Sequence, residues 1–467
     1  MGKIRSFENP VEAGSGSGSE YRGQVLAVEP HGIEQVSASE RHGSPRTLFT
    51  LWLSANMGLP VWLVGALAVV FGLGFADGVA AIIVGNIIGC ALLAITASMG
   101  PQIGMPQLSF TRHSFGVRGA YLPALLNWVS ASGWYAVNSI VGALAIERLT
   151  ALPFWVSLLI LTAAQMLLGV YGYNLIHRFE AISAALLAII FLLMSVIGLP
   201  QAHFGLASKL PLADHIGLFV LMTTAVASYV FSWSPYASDY ARYLPAETPA
   251  WRVFTAVFLG SFIGCVWLQV LGAAVATIGL NLAPIDLVVK VMGPIWVPAL
   301  IAVILGTIAA NALNIYTGAL SLLTLGVPIK RWVSVIAVGI LGGALALYGS
   351  SGLSAKYENF LLLISYWIGP WLAVVLVDFF LHPGQPTRPE KGWRAAFRKA
   401  VEWPGLVAFL IGLAVSVPFM NSALYVGPMA NLLHGADIAY YVGILVAGVL
   451  YYVLRSVVKP RAEVEEA

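Results

Sequence analysis

Charge is scarce in this chain. Only 10% of its 467 residues are Asp, Glu, Lys or Arg, whereas 59% are hydrophobic. A soluble globular chain carries roughly 25% charged residues, and one so poor in charge cannot cover itself with polar surface in water. Lipid is therefore its solvent. Cysteine is nearly missing: Cys90 and Cys265 both lie inside apolar runs, which excludes a disulfide framework and a thiolate metal site. No Walker loop is present, so ATP-driven pumping has no support. Neither a nucleophile elbow nor a His or Cys cluster at metal-ligand spacing is found, so no metal, no cofactor and no enzyme are expected. No signal peptide opens the chain. Residues 1–45 instead carry six glutamates and a Gly/Ser stretch, which reads as a cytoplasmic tail.

What the chain has in abundance is long apolar runs. A helix needs roughly 20 apolar residues to cross the hydrocarbon core. Twelve such runs follow one another from 48–70 to 437–456, with a polar patch at His177 and Arg178 separating the fourth from the fifth. The predicted organisation is a tail (1–45), a transport core of spans 1–10 (46–380), a cytoplasmic loop (381–402), spans 11 and 12 (403–458) and a second tail (459–467). Twelve spans put both termini on one side, and that side collects 20 of the 24 lysines and arginines. The excess predicts that both termini are cytoplasmic. The basic stretch from Arg388 to Lys399 fits the same bias.

Two spans carry helix breakers. Span 1 contains Asn56-Met57-Gly58-Leu59-Pro60 and span 6 contains Ser232-Trp233-Ser234-Pro235. Glycine removes the side-chain constraint and proline removes an N–H donor. Five spans separate the two segments, the spacing expected if spans 1–5 and 6–10 are inverted repeats with binding at interrupted helices near the midplane.

Polar residues inside spans are costly and face a cavity or a partner. Span 3 holds Trp134 and Asn138 four residues apart, and span 8 holds Thr307, Asn311 and Asn314 at spacings of four and three, so each set shares a helix face. Aromatic rings and amides around one cavity suit a flat heterocycle: rings stack on its faces while amides read its edge. The same amides could equally glue helices together. Glu180, at the start of span 5, is either a cavity carboxylate able to take up a proton or a surface partner of Arg178. Asp239 and Arg242, at the inner end of span 6, and Asp378, at that of span 10, are read as gate or interface charges.

Several segments carry a family likeness. They are Ser54-Ala55-Asn56-Met57, Ser114-Phe115-Gly116-Val117-Arg118-Gly119, Gly133-Trp134-Tyr135-Ala136-Val137-Asn138, His177-Arg178-Phe179-Glu180, Ser232 through Tyr243, and Asn311-Ala312-Leu313-Asn314-Ile315-Tyr316. Together they resemble the nucleobase–cation symporter-1 family, and within it the purine–cytosine permease group. The resemblance implies an all-α integral membrane protein of the leucine-transporter type: a five-plus-five inverted repeat with helices 1 and 6 interrupted and two C-terminal helices added. It implies import of cytosine or purines by cation symport through alternating access, with no nucleic-acid partner. It places substrate contacts on Trp134, Asn138, Glu180, Trp233 and Asn314, with Asn311 one turn away. The sodium-driven branch of that family uses span 8 hydroxyls, and Thr307 is the only one nearby. A proton is therefore the expected coupling ion, with Glu180 and Thr307 as coupling candidates. Ala310 and Leu313 depart from the polar residues common in the fungal group, which leaves room for another cargo, such as allantoin, a hydroxymethylpyrimidine or a vitamin-like heterocycle. A passive channel or a membrane-embedded enzyme would need pore-lining rings or a positioned nucleophile.

Overall fold

The computed structural model describes residues 33, 35–171, 173–279, 282–326, 331–381 and 399–457. Most of the predicted N-terminal tail, most of the 381–402 loop and the last ten residues lie outside the described residues. Apart from a two-stranded hairpin, Asn421–Ser422 with Tyr425–Val426, the regular structure is helical. Among the described residues eight helices are long and apolar enough to cross a bilayer, or nine if one bent pair is a single span. Three shorter apolar helices, beginning at Phe154, Ala185 and Trp403, fall where the other predicted spans are expected.

The bent pair is span 1. Pro45–Ala55 (α1) and Leu59–Val70 (α2) meet at 57°. Asn56 leaves the helical region, Gly58 is extended at φ −159° and ψ 161°, and Pro60 sits in the first turn of α2, where its missing N–H leaves no bond unmade. Span 2 is Phe75–Ser98 (α3). Three helical turns follow, Gly100–Ile103, Gln107–Phe110 and Arg112–Phe115, largely buried and not foreseen as structure. Tyr121–Thr150 (α4) is span 3, Phe154–Tyr171 (α5) span 4 and Tyr173–Gly198 (α6) span 5. The polar patch therefore lies inside the helix of span 5 rather than between two spans. His177, Arg178 and Glu180 belong to the helix, because no proline or glycine between 173 and 180 interrupts it.

Span 6 breaks more gently than span 1. Leu212–Phe231 (α7) passes through right-handed Ser232 and Trp233 into a tighter turn, Ser234–Tyr236, and then Ala237–Ala241 (α8). The Pro235 ring removes one N–H without any residue becoming extended, so the helix is interrupted but keeps its course. Span 7 is Ala250–Ala276 (α9); a surface helix, Pro284–Met292 (α10), precedes span 8, Trp296–Thr324 (α11). Arg331–Gly349 (α12), Leu353–Leu381 (α13), Trp403–Ser416 (α14) and Ala439–Val457 (α15) complete the set.

Packing sorts the spans into groups. Spans 1, 2, 6 and 7 pack together, and so do spans 3, 4, 8 and 9, with α4 against α11 the most extensive contact. Each group takes the same serial members from the two proposed repeats. Span 5 bridges the groups by touching α1 and α11, while α13, α14 and α15 form a third cluster. The approach of span 1 to span 7 depends on glycine. A side chain on Gly260 or Gly264 of α9 would meet the Phe49 or Leu53 carbonyl of α1, and one on Gly272 would strike the Trp62 carbonyl of α2. Small residues let membrane helices approach to backbone contact.

Candidate substrate site

Span 3 and the interrupted span 6 deliver aromatic rings to one place. Trp134 of α4 and Trp233 of span 6 stand nearly parallel, 11° apart in plane and 6.4 Å apart in ring centroid. They come from different four-helix groups. Each indole is only 4% exposed, so the pair is enclosed. Edge-on rings surround it: Tyr229 (5.4 Å), Tyr357 (6.0 Å) and Phe360 (5.2 Å) around Trp134, and Trp52 (5.7 Å) and Tyr236 (5.1 Å) around Trp233. Edge-to-face contacts of this kind fix ring orientation. Tyr357 also donates to the Pro60 carbonyl at 3.1 Å, tying span 10 to the start of α2.

The amides lie in one connected network. Asn311 Nδ2 donates to the Tyr135 carbonyl and to the Ser139 hydroxyl, both at 3.0 Å, joining α11 to α4. Asn314 Nδ2 donates to Asn311 Oδ1 (3.1 Å), and its own Oδ1 accepts from the Tyr236 hydroxyl (3.2 Å). The chain of bonds thus runs from span 3 through span 8 to the interruption in span 6. Asn138 Nδ2 is bound to the Trp134 carbonyl on its own helix at 2.9 Å. Its Oδ1 has no donor among the described residues.

Buried polar atoms lacking a hydrogen bond occur in many parts of the fold, the two breaks among them. Trp52 Nε1, Asn56 Oδ1, Trp233 Nε1 and Ser234 Oγ are buried and make no hydrogen bond of acceptable geometry, although the Tyr229 hydroxyl lies beside the Trp233 indole.

The coupling candidates fare differently. The Thr307 hydroxyl donates to the Ile304 carbonyl at 2.8 Å and faces α4, where a side chain on Gly142 would strike it. Its carbonyl accepts from Gln165 Nε2 at 3.4 Å. It is Gly306, not Thr307, that faces the break in span 1, since a side chain there would meet the Met57 carbonyl. The α6 backbone carries Glu180, but its side chain lies outside the described residues.

Asp239 and Arg242 close the other end of the core. Asp239 Oδ1 accepts from the Gln107 N–H (3.0 Å) and Oδ2 from the Thr317 hydroxyl (2.5 Å). Arg242 is fully buried and donates to the hydroxyls of Tyr243 (3.3 Å) and Tyr316 (3.0 Å). These bonds fasten span 6 to span 8 and to the turns after span 2. Asp378 is an interface group: it accepts from His113 (2.5 Å), Ser114 (2.7 Å) and Tyr451 (2.5 Å), holding span 10 to span 12.

Tyr236, Ser139, Gln165, Trp52, Tyr357 and Phe360 were not singled out from the sequence. Gln165 offered a signal, being a lone amide in an apolar span. Tyr357 and Phe360 offered none, because aromatic residues at helical spacing are ordinary core.

Comparison with known proteins agrees with this geometry. The family model for permeases for cytosine/purines, uracil, thiamine and allantoin matches residues 35–443. YxlA of Bacillus subtilis, whose name provisionally makes it a purine-cytosine permease, is 32% identical over 448 residues, covering 93% of this chain and 97% of its own. The purine-cytosine permease fcyB of Emericella nidulans is 29% identical, covering 92% and 89%. Among solved structures, Mhp1, a nucleobase-cation-symport-1 family transporter in a closed conformation with bromovinylhydantoin bound, superposes with a TM-score of 0.73 at 19% identity, covering 91% of this chain and 94% of its own. The fold is therefore that of Mhp1, and the chain belongs to the nucleobase–cation symporter-1 family of membrane permeases.

Proposed function

We propose that this permease imports a flat nucleobase, cytosine or a purine, together with a proton. The parallel Trp134–Trp233 pair carries the reading. A planar ring between two others needs about 7 Å between the outer planes, twice the optimal carbon separation; the indole centroids stand 6.4 Å apart, which bounds the plane separation from above, so the two rings would part by about an ångström or more to admit one. Stacking would supply affinity for any flat heterocycle. The Asn138 carbonyl would read the ring's edge, while Asn311 and Asn314 hold the wall behind it. The relatives named for purines and cytosine support this cargo. The family description also includes thiamine and allantoin, so another small heterocycle is the second reading.

Proton coupling is favoured by what span 8 turns toward the break. Gly306 is there, and Ala310 follows one turn on; neither has a hydroxyl to hold sodium. Glu180 is the proposed proton carrier. We place the protein in the cell membrane with both termini cytoplasmic. Besides the lysine and arginine count, the end of the core that holds Arg242 also holds Arg41, bound to the Pro101 carbonyl, Arg112, bound to the Thr324 carbonyl, and Lys399, whose carbonyl accepts from Val117.

The test is uptake of radiolabelled cytosine, adenine, hypoxanthine, uracil and allantoin by cells producing the protein. Accumulation of cytosine or a purine that collapses with a protonophore and persists without sodium is expected. No accumulation of any heterocycle would overturn the cargo, and sodium-dependent uptake indifferent to the protonophore would overturn the coupling. Glu180→Gln should abolish accumulation or its pH dependence; normal transport at every pH removes Glu180 from both roles.

A further inference from the structure

The first half of span 1 and span 7 run side by side and touch where Gly260 and Gly264 of α9 meet the α1 backbone. Toward their N-termini a groove of about 650 Å³ lies between them. Its chemistry is divided along its length. Arg46 and Arg252 lie nearest the two helix N-termini, and Phe49, Ala256 and Leu259 follow one to two turns further along. Neither arginine makes an ion pair with an acid among the described residues. The Arg252 guanidinium lies over the Trp251 ring at 5.4 Å, and that indole is 65% exposed. Below it, Phe254, Phe258 and Phe262 stack in a ladder along α9, with centroids 5.7 and 5.5 Å apart.

Both helices are membrane spans, so their ends lie at headgroup depth. Exposed tryptophan and arginine are the residues that settle there. A soluble anion would satisfy the arginines but leave the apolar floor bare. A neutral lipid would cover the floor but leave two guanidiniums without a counter-charge. A molecule with an anionic head and an acyl chain matches both parts.

We propose that this groove is a binding site for an anionic phospholipid of the surrounding membrane. The headgroup phosphate is held by Arg46 and Arg252, and one acyl chain lies over Phe49, Ala256 and Leu259. The site has a mechanical consequence. α1 is joined to the rest of span 1 only through the bent segment Asn56–Gly58, so a lipid lodged between α1 and α9 biases where α1 can sit.

The test uses the full-length protein in detergent, with bound lipid counted by native mass spectrometry. Phosphatidylglycerol and phosphatidylcholine are offered in turn. Wild type should retain phosphatidylglycerol preferentially. Each arginine contributes roughly fivefold, so Arg46→Gln with Arg252→Gln should reduce retention by at least about tenfold while the melting temperature holds. Leu259→Trp fills the floor, leaves both arginines in place, and should also reduce retention. Equal retention of the two lipids by wild type would overturn the proposal, as would undiminished retention by the double variant. Retention unchanged by Leu259→Trp would reduce the site to a surface charge patch and overturn the groove. Displacement of the lipid by millimolar inorganic phosphate would assign the arginines to a soluble anion instead. No transport substrate enters the experiment, so its outcome is independent of the cargo.

Discussion

Spans 1 and 6 hold equivalent places in the two proposed repeats, yet they break in different ways. Span 1 bends by 57° through an extended residue and becomes two separate helices. Span 6 never leaves right-handed backbone; it only tightens for one turn at Ser234–Tyr236. The difference divides labour between them. The sharp break lets α1 move apart from α2, whereas the soft one holds a single side chain, Trp233, face to face with Trp134. Pro60 and Pro235 each remove one N–H, but only span 1 adds an extended glycine before its proline. Function should therefore depend on side-chain identity in span 6 and on the helix-to-helix fit in span 1.

The largest effect should follow from Trp233→Ala. Stacking of a base on an aromatic ring is worth about 1–3 kcal/mol, so the KM for nucleobase uptake should rise about fivefold to 150-fold, and Trp134→Ala should match it. Trp233→Phe should recover most of the loss. If alanine at either position leaves KM unchanged, the facing indoles are packing only. Next in size is Gly272→Val in α9. A side chain there strikes the Trp62 carbonyl of α2, and overpacking of this kind costs about 1–3 kcal/mol. A thermal melt of the purified protein should show a drop of a few degrees.

A smaller change is expected from Tyr236→Phe. Its hydroxyl donates to Asn314 Oδ1 at 3.2 Å, and a net hydrogen bond is worth about 1 kcal/mol. KM should rise about fivefold, and the effect should not add to that of Asn314→Ala, because the two residues share one bond. Additive losses would place them in separate roles. The smallest effect belongs to Gly58→Ala. At φ −159° the backbone is extended and open to any residue, and the new methyl would meet only Pro60 Cδ at 3.6 Å. Uptake should stay within about twofold of wild type. A loss as large as that of Trp233→Ala would erase the proposed contrast between the two breaks.

Much of this arrangement was legible in the residues. The apolar runs, the breakers at Gly58, Pro60 and Pro235, and the polar faces of spans 3 and 8 each follow from a local rule of helix chemistry. That Trp134 and Trp233 face each other was not legible, because no spacing within one helix reports the distance to another. Where Asn311 and Thr307 direct their polar atoms was not legible for the same reason. Both are polar and inward, but Asn311 spends its donors on α4 and Thr307 turns away from the break. The turns between Gly100 and Phe115 were hidden by their brevity. Nothing periodic marks them, yet they reach Asp239, Thr324, Trp371 and Asp378.

Those turns bear on how tightly a carrier must be sealed. Asp239 receives bonds from two directions at once, one from the turns after span 2 and one from span 8. Breaking a hydrogen bond to a buried carboxylate costs more than the bond itself. A half-parted end is therefore less favourable than either the shut or the fully hydrated one. An end fastened in this way would act as a latch with two positions rather than as a spring.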